Sequence, residues 1–180
     1  MILPPLTRHL AVCSLADVQR FLNMDRDFWS VVSIRDTTRP RLQLSRARSE
    51  HPFWFDDAEI VEEGSKWIVL SEGQAAALWQ VIDADANAPL LIHCVAGLSR
   101  STAVAAAIIA RGLAHTGMAT AEIGTATVER LLAIRPPACP NGWVLLKMLE
   151  QVLPPEDARQ VTHRIWEDDR IMHNRFVHPH

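Results

Sequence analysis

Several things are scarce in this chain, and each scarcity closes off a class of protein. Cysteine is one: Cys13, Cys94 and Cys139 are the three among 180 residues. An odd number cannot pair completely, and a chain long enough for a sizeable core needs no disulfide staple. A disulfide scaffold is therefore excluded, and a reducing, cytoplasmic compartment is the expectation. Long apolar runs are lacking too. None approaches the roughly 18 uninterrupted residues of a membrane span, the run from Ala103 being stopped by Arg111. Pro4 and Pro5 ahead of Arg8 leave no room for a secretory signal, and Val12 before Cys13 is a poor lipoprotein context, so no leader or membrane association is expected. Charge of one sign is missing as well: 18 Lys and Arg face 21 Asp and Glu, a net charge of −3, which makes a nucleic-acid partner unlikely on global electrostatics. There are no repeats, low-complexity tracts or linkers. With 48% apolar and 22% charged residues, disorder, collagen and coiled coil fail as descriptions of the whole. The length suits one domain over residues 1–180, with a frayed tail from about 173 to 180.

What is present alternates between strand-like and helix-like patterns. Leu10 to Val12 is a short strand candidate, followed by Ser14 and Asp17 as a helix start and a helix to about Asn23. Phe28 to Ile34 reads as a buried strand because Val31, Val32 and Ile34 are β-branched. His51 to Asp57 is an aromatic strand end or loop, and Trp67 to Leu70 is a further short apolar run. Ser71 with Gln74 forms a capping-box pattern ahead of a helix through about Asp83, with Ala75, Leu78, Trp79 and Ile82 at core spacing. Leu90 to His93 is a continuous apolar strand of the kind buried on both faces of a parallel sheet. An alanine-rich helix from Thr102 to Leu113 follows, then one capped by Thr120 or Thr125 and ending near Ile134. Pro140 is expected to start a helix through Leu149, and Glu156 to Met172 to form the last.

The strand from Leu90 runs directly into Cys94-Val95-Ala96-Gly97-Leu98-Ser99-Arg100-Ser101 and on into a helix. A loop that wraps into a helix N-terminus aims several backbone N–H groups at one point, and the helix dipole adds positive potential there. Such a loop cradles an anion. Gly97 gives it conformations barred to other residues, and the planar fork of Arg100 can grip two phosphate oxygens together. At the centre of that field the Cys94 thiolate is favoured and becomes a nucleophile toward phosphorus. Ser101 is placed to donate a hydrogen bond to the sulfur when it leaves, and His93 to orient the loop through hydrogen bonds without meeting substrate.

These residues, His93 to Ser101, resemble the HCxxGxxRS signature loop of cysteine-based protein tyrosine phosphatases. Arg135-Pro136 with Pro140-Asn141 is similar to the RPxxxPN segment of dual-specificity phosphatases. The resemblance is firm from about Leu90 to Leu149, and its wider likeness is to small bacterial tyrosine-phosphatase-like proteins. It implies an α/β fold, with a central mostly parallel sheet flanked by helices on both faces and the site at the strand ends. It also implies that the amides of Val95, Ala96, Gly97, Leu98 and Ser99 bind phosphate and that Asn141 braces the loop. The mid-chain position separates this chain from low-molecular-weight tyrosine phosphatases, whose loop is N-terminal.

A phenolate or alkoxide leaves poorly unless a carboxylic acid protonates it, and the family places an aspartate about thirty to forty residues ahead of the cysteine for that purpose. Asp57 lies 37 residues upstream of Cys94 and Asp56 lies 38. Asp57 is the expected acid, with Asp56 second; the bland alternative makes both part of an acidic stretch ending at Glu63. Asp83 and Asp85 belong at the far end of the strand. No cofactor is implied, and the scattered histidines do not suggest a metal. Cys13 and Cys139 read as core residues, a resolving-thiol role being the alternative. Trp29 and Trp54 are candidates to line the entrance, and Arg35, Arg39, Arg41, Arg46 and Arg48 to form a solvated loop or a basic rim. Neutral Val95 and Leu98 favour a singly phosphorylated protein or peptide, most plausibly on tyrosine, because lipid and inositol phosphatases of the wider family often carry lysines there. A phosphate-recognising module without turnover, a sulfur-transfer enzyme and an RNA 5′-phosphatase are the competing readings.

Overall fold

The computed structural model describes residues 8–38, 43–59 and 65–178. Within them β1 (Leu10–Ser14), β2 (Ser30–Arg35), β3 (Ser49–Trp54) and β4 (Leu90–Cys94) form one sheet in the order β1-β4-β2-β3, and every neighbouring pair is parallel. Parallel neighbours require crossover connections. The first runs through α1 (Val18–Met24) and the one into β4 through α2 (Glu72–Ala84). All five residues of β4 are buried, as its unbroken apolar run predicts.

Alternation along the strands divides the core. Leu10, Val12, Val32, Ile34, Leu90, Ile92 and Cys94 face a large cluster, whereas Cys13, Val31 and Leu91 face a smaller one. The smaller cluster is closed by Val18 and Leu22 of α1. The larger one is covered by α2, α3 (Arg100–His115), α4 (Thr120–Ile134), α5 (Gly142–Leu149) and α6 (Pro155–Trp166), with α7 (Asp169–Val177) contributing Ile171. Helices thus lie on both faces. Central α3 is buried from Arg100 to Ala110, and its alanines let neighbouring elements approach closely.

Local signals explain most boundaries. Ser71 accepts from Gln74 N while Gln74 returns a bond to the Ser71 backbone, closing the expected capping box on α2. Ser14 and Asp17 do bond to each other, but they close a turn ahead of α1 instead of capping it by side chain. Asn141, not Pro140, starts α5, because its Oδ1 accepts from Val144 N. The segment expected as one last helix is two, since the Asp168 carboxylate captures Arg170 N and starts a new helix. The stretch expected to fray is helical to Val177, tied down by Asn174 and Arg175 to the rest of the fold. Trp67 to Leu70 is not a strand. Trp29 lies in the smaller core cluster and not at an entrance. The basic rim dissolves for the described arginines. Arg35 is buried against Glu50 at 2.6 Å, Arg48 pairs with Asp85 beside the start of β4, and Arg46 donates to Asn23. Arg39 and Arg41 lie outside the described residues. No helix among the described residues is long and apolar enough to cross a membrane.

His93 is fully buried on β4, and neither ring nitrogen has a hydrogen-bond partner. It therefore does not orient the loop through hydrogen bonds. Burial first and the Arg35 guanidinium second hold its pKa down to about 4, against a weaker opposing contribution from the Cys94 backbone. The unfolded chain takes up this proton near 6.5 and the folded chain only near 4. Between those values the unfolded state binds more protons, so stability rises with pH through the window, by about 3 kcal/mol in all. Denaturant midpoints measured between about pH 4 and pH 7 should show this slope, and His93→Phe should flatten it.

Candidate active site

The carboxyl end of β4 lies between β1 and β2, so the loop leaving Cys94 emerges at the crevice where connections depart to either side. Gly97 makes its path possible. Its φ is +70°, and a Cβ there would stand 2.5 Å from the Cys13 carbonyl carbon and oxygen and 2.6 Å from Ser14 N. Only glycine satisfies both constraints without strain. The loop is consequently pressed against the end of β1.

Every carbonyl from residue 95 to residue 99 is held by a donor. Leu15 N reaches Val95 O at 3.1 Å, while Arg135 donates to Ala96 O at 3.4 Å and to Gly97 O at 3.0 Å. Cys139 N reaches Leu98 O at 2.9 Å, with Thr102 Oγ1 bonding the same oxygen. Ser99 O accepts from Ala103 N at 2.9 Å and Asn141 N at 3.4 Å. A backbone whose carbonyls are engaged in this way cannot flip a peptide without breaking a bond. On the inner side Gly97 N–H points at Cys94 Sγ at 3.2 Å, and Ser101 Oγ lies 3.2 Å from the same sulfur.

Arg100, the first residue of α3, is 3% exposed. Its Nη1 donates to Phe55 O at 2.8 Å and pairs with Asp36 Oδ1 at 2.7 Å. Its Nε–H is buried and has no hydrogen-bond acceptor, Asp57 Oδ2 standing off at 3.6 Å. A buried guanidinium donor left unpaired is costly, which makes this N–H the most demanding group at the loop.

The two adjacent aspartates have parted company. Asp57 faces the loop, its Oδ1 accepting from Ser99 Oγ at 2.7 Å and from Asn141 Nδ2 at 2.8 Å. Asp56 is buried elsewhere, taking bonds from Thr37 N, Thr37 Oγ1 and Ile68 N. Asn141 braces two segments at once, by side chain to Asp57 and by backbone to Ser99. Trp54, at the end of β3, offers its carbonyl to Gln74.

Sequence reasoning missed Asp36, and it did not give Arg135 its part as a brace on the loop carbonyls. The Arg-Pro motif drew attention to Arg135, but nothing in a linear pattern pairs residue 36 with residue 100. Cys13 and Cys139 are buried, and burial pushes their thiols up to about 12 and about 11. Both are protonated at neutral pH and sluggish as nucleophiles, which weighs against a resolving role. No group of histidine, cysteine and carboxylate side chains able to hold a metal occurs among the described residues. Gly97→Ala should destabilise the protein by roughly 2–5 kcal/mol, combining left-handed strain with the clash on the Cys13 carbonyl; equilibrium urea unfolding measures it.

The sequence matches no protein-family model and no curated protein. Solved structures do resemble it. One is the crystal structure of DUSP15, at 21% identity with a TM-score of 0.55, covering 93% of this chain and 97% of that one. The Yvh1 phosphatase domain from Chaetomium thermophilum aligns at 18% identity and a TM-score of 0.57 over 86% and 96% of the two chains. The human tyrosine phosphatase-like serine/threonine/tyrosine-interacting protein aligns at 17% identity and a TM-score of 0.53, over 84% and 93%. With an all-parallel four-stranded sheet between helices and a cysteine loop at the mouth of its central crevice, this chain has the fold of the cysteine-based protein tyrosine phosphatases.

Proposed function

We propose that this protein is a phosphomonoester hydrolase that works through a cysteinyl-phosphate intermediate, with phosphotyrosine on a protein or peptide as its substrate. One observation carries the reading: Cys94 Sγ and the buried Nε–H of Arg100, which makes no hydrogen bond, belong to the same loop, whose carbonyls are engaged by donors from Leu15, Arg135, Cys139 and α3. A tetrahedral oxyanion supplies the acceptor that Arg100 Nε lacks and sits within the field of the α3 N-terminus.

In the first step Cys94 Sγ attacks phosphorus in line with the leaving oxygen. The S–P bond forms as the P–O bond breaks, and Asp57 transfers its proton to that oxygen. Arg100 and the loop amides meet the charge on the equatorial oxygens. In the second step water attacks phosphorus, Asp57 takes its proton, and the departing sulfur is met by the Ser101 hydroxyl 3.2 Å away. Asp57 suits the acid role better than Asp56, whose oxygens are occupied by Thr37 and Ile68. The neutral side chains at Val95 and Leu98 and the engagement of Arg35 and Arg48 elsewhere favour a singly phosphorylated protein over an RNA 5′ end.

A second reading has one observation in its favour. Asp57 Oδ1 is already engaged by two donors, Ser99 Oγ and Asn141 Nδ2, which hold the carboxyl group against the loop and α5. A module that binds phosphate without turning it over follows if those bonds keep Asp57 from reaching the leaving oxygen.

Hydrolysis of a phosphotyrosyl peptide separates the two. The enzyme reading expects turnover that falls at least about a thousandfold in Cys94→Ser, while that variant still binds phosphate. Asp57→Asn should lower kcat by roughly 100- to 1,000-fold. Tight phosphate binding with no Cys94-dependent turnover would establish the module instead.

A further inference from the structure

The acidic run after Asp57 is more than a solvated surface at Glu59. This carboxylate is held on both oxygens: Arg175 Nη1 reaches Oε2 at 3.1 Å, Arg175 Nη2 reaches Oε1 at 3.0 Å, and Gly142 N donates to Oε1 at 2.7 Å. Burial alone would raise the Glu59 pKa, yet the bonds from Arg175 and Gly142 bring it below the ordinary carboxylate value. Arg175 comes from α7, 116 residues away, and its guanidinium is itself fixed over the Trp166 ring at 4.3 Å and bonded to Pro140 O. A planar guanidinium meeting a carboxylate through two parallel bonds fixes orientation as well as distance.

The position of this pair matters. Glu59 is two residues beyond Asp57, and Gly142 directly follows Asn141, whose side chain holds Asp57. The neighbouring α7 residue, Asn174, donates to Pro136 O and Ala138 O on the turn that leads to Asn141. The helix therefore grips both partners of the Asp57–Asn141 contact, the segment that follows Asp57 and the turn that precedes Asn141.

We infer that Arg175 is a positioning residue for the general acid, acting through Glu59 to hold the Asp57 segment against the N-terminus of α5. The inference rests on the phosphatase reading and adds the C-terminal helix to its machinery. Arg175 touches neither the loop nor substrate, so its effect comes through Asp57, as acid in the first step and as base in the second.

That confinement supplies the test. Protonation matters for a basic leaving group and hardly at all for an acidic one, so a displaced acid steepens the dependence on leaving-group acidity of kcat/KM, which reports phosphoryl transfer to Cys94 and not the later hydrolysis. Full-length protein is assayed on phenyl phosphate and on 2,4-dinitrophenyl phosphate. Arg175→Ala should lose roughly tenfold or more in kcat/KM on the first and less than about twofold in kcat/KM on the second. Glu59→Gln should behave likewise, and the double variant should be no worse than the singles, since both break one contact. Arg175→Lys, which keeps the charge but not the fork, should fall between and serves if the alanine variant does not fold. Arg170→Ala removes the same charge from α7 without contacting the acid segment, and should leave the ratio of the two rates at its wild-type value. Equal losses on both substrates, no loss on either, or the same steepening in Arg170→Ala would overturn the inference. Wild-type protein with no activity on either substrate would instead overturn the phosphatase reading beneath it.

Discussion

The contact on which the rest depends is the one between Gly97 and the Cys13–Ser14 peptide. It is a backbone-to-backbone approach with no room for a single methyl group, and it sets the loop's height above β1. From that fixed point the chain on either side is drawn outward by its carbonyls, through Leu15, Arg135, Cys139 and Asn141. These donors come from the residue after β1 and from the turn after α4, two segments more than a hundred residues apart in sequence. A loop so constrained keeps its N–H groups and its arginine in place before any ligand arrives, so little reorganisation remains to be done on binding.

Electrostatic balance around Arg100 follows from the same geometry. The guanidinium is buried, so its charge needs partners, and Asp36 and the Phe55 carbonyl supply them on one side only. Asp57 stands near the other side without closing to hydrogen-bond distance. One buried cation beside two carboxylates sums to a net charge of −1 when Asp57 is ionised. The three groups sum to zero when Asp57 carries a proton, the state that repels an incoming dianion less. The neighbouring Asp56 is spent on holding the chain at Thr37 and Ile68, which explains how adjacent residues of one type come to do unlike work.

The turn from Arg135 to Asn141 joins these parts. At its start Arg135 braces the signature loop, at Cys139 its backbone bonds Leu98, and at its end Asn141 caps α5 and holds Asp57. α7 supports the turn from outside through Asn174 and Arg175. Nucleophile, phosphate grip and acid are thus carried by segments that meet at one small scaffold, each held to it by its own bonds.

Much of this was open to inspection in the linear chain. The unbroken apolar run of β4 followed at once by a cysteine, a glycine and an arginine at fixed offsets is a local pattern, and local patterns are set by backbone sterics and by periodicity that neighbouring residues determine among themselves. The capping box on α2, the buried alanine helix α3 and the 37-residue spacing from Asp57 to Cys94 were legible for the same reason. What only the tertiary structure decided involves residues that no periodicity relates. Asp36 meets Arg100, Arg175 meets Glu59, and Trp29 goes to the core because α1 covers that face. His93, expected to hydrogen-bond, is buried with no partner because the strands beside β4 surround it. Where the last helices break and where the tail is held were likewise settled by Asp168, Asn174 and Arg175 finding partners. Each of these outcomes turns on which surfaces the fold brings within a few ångströms, a distance that the order of residues along the chain does not encode.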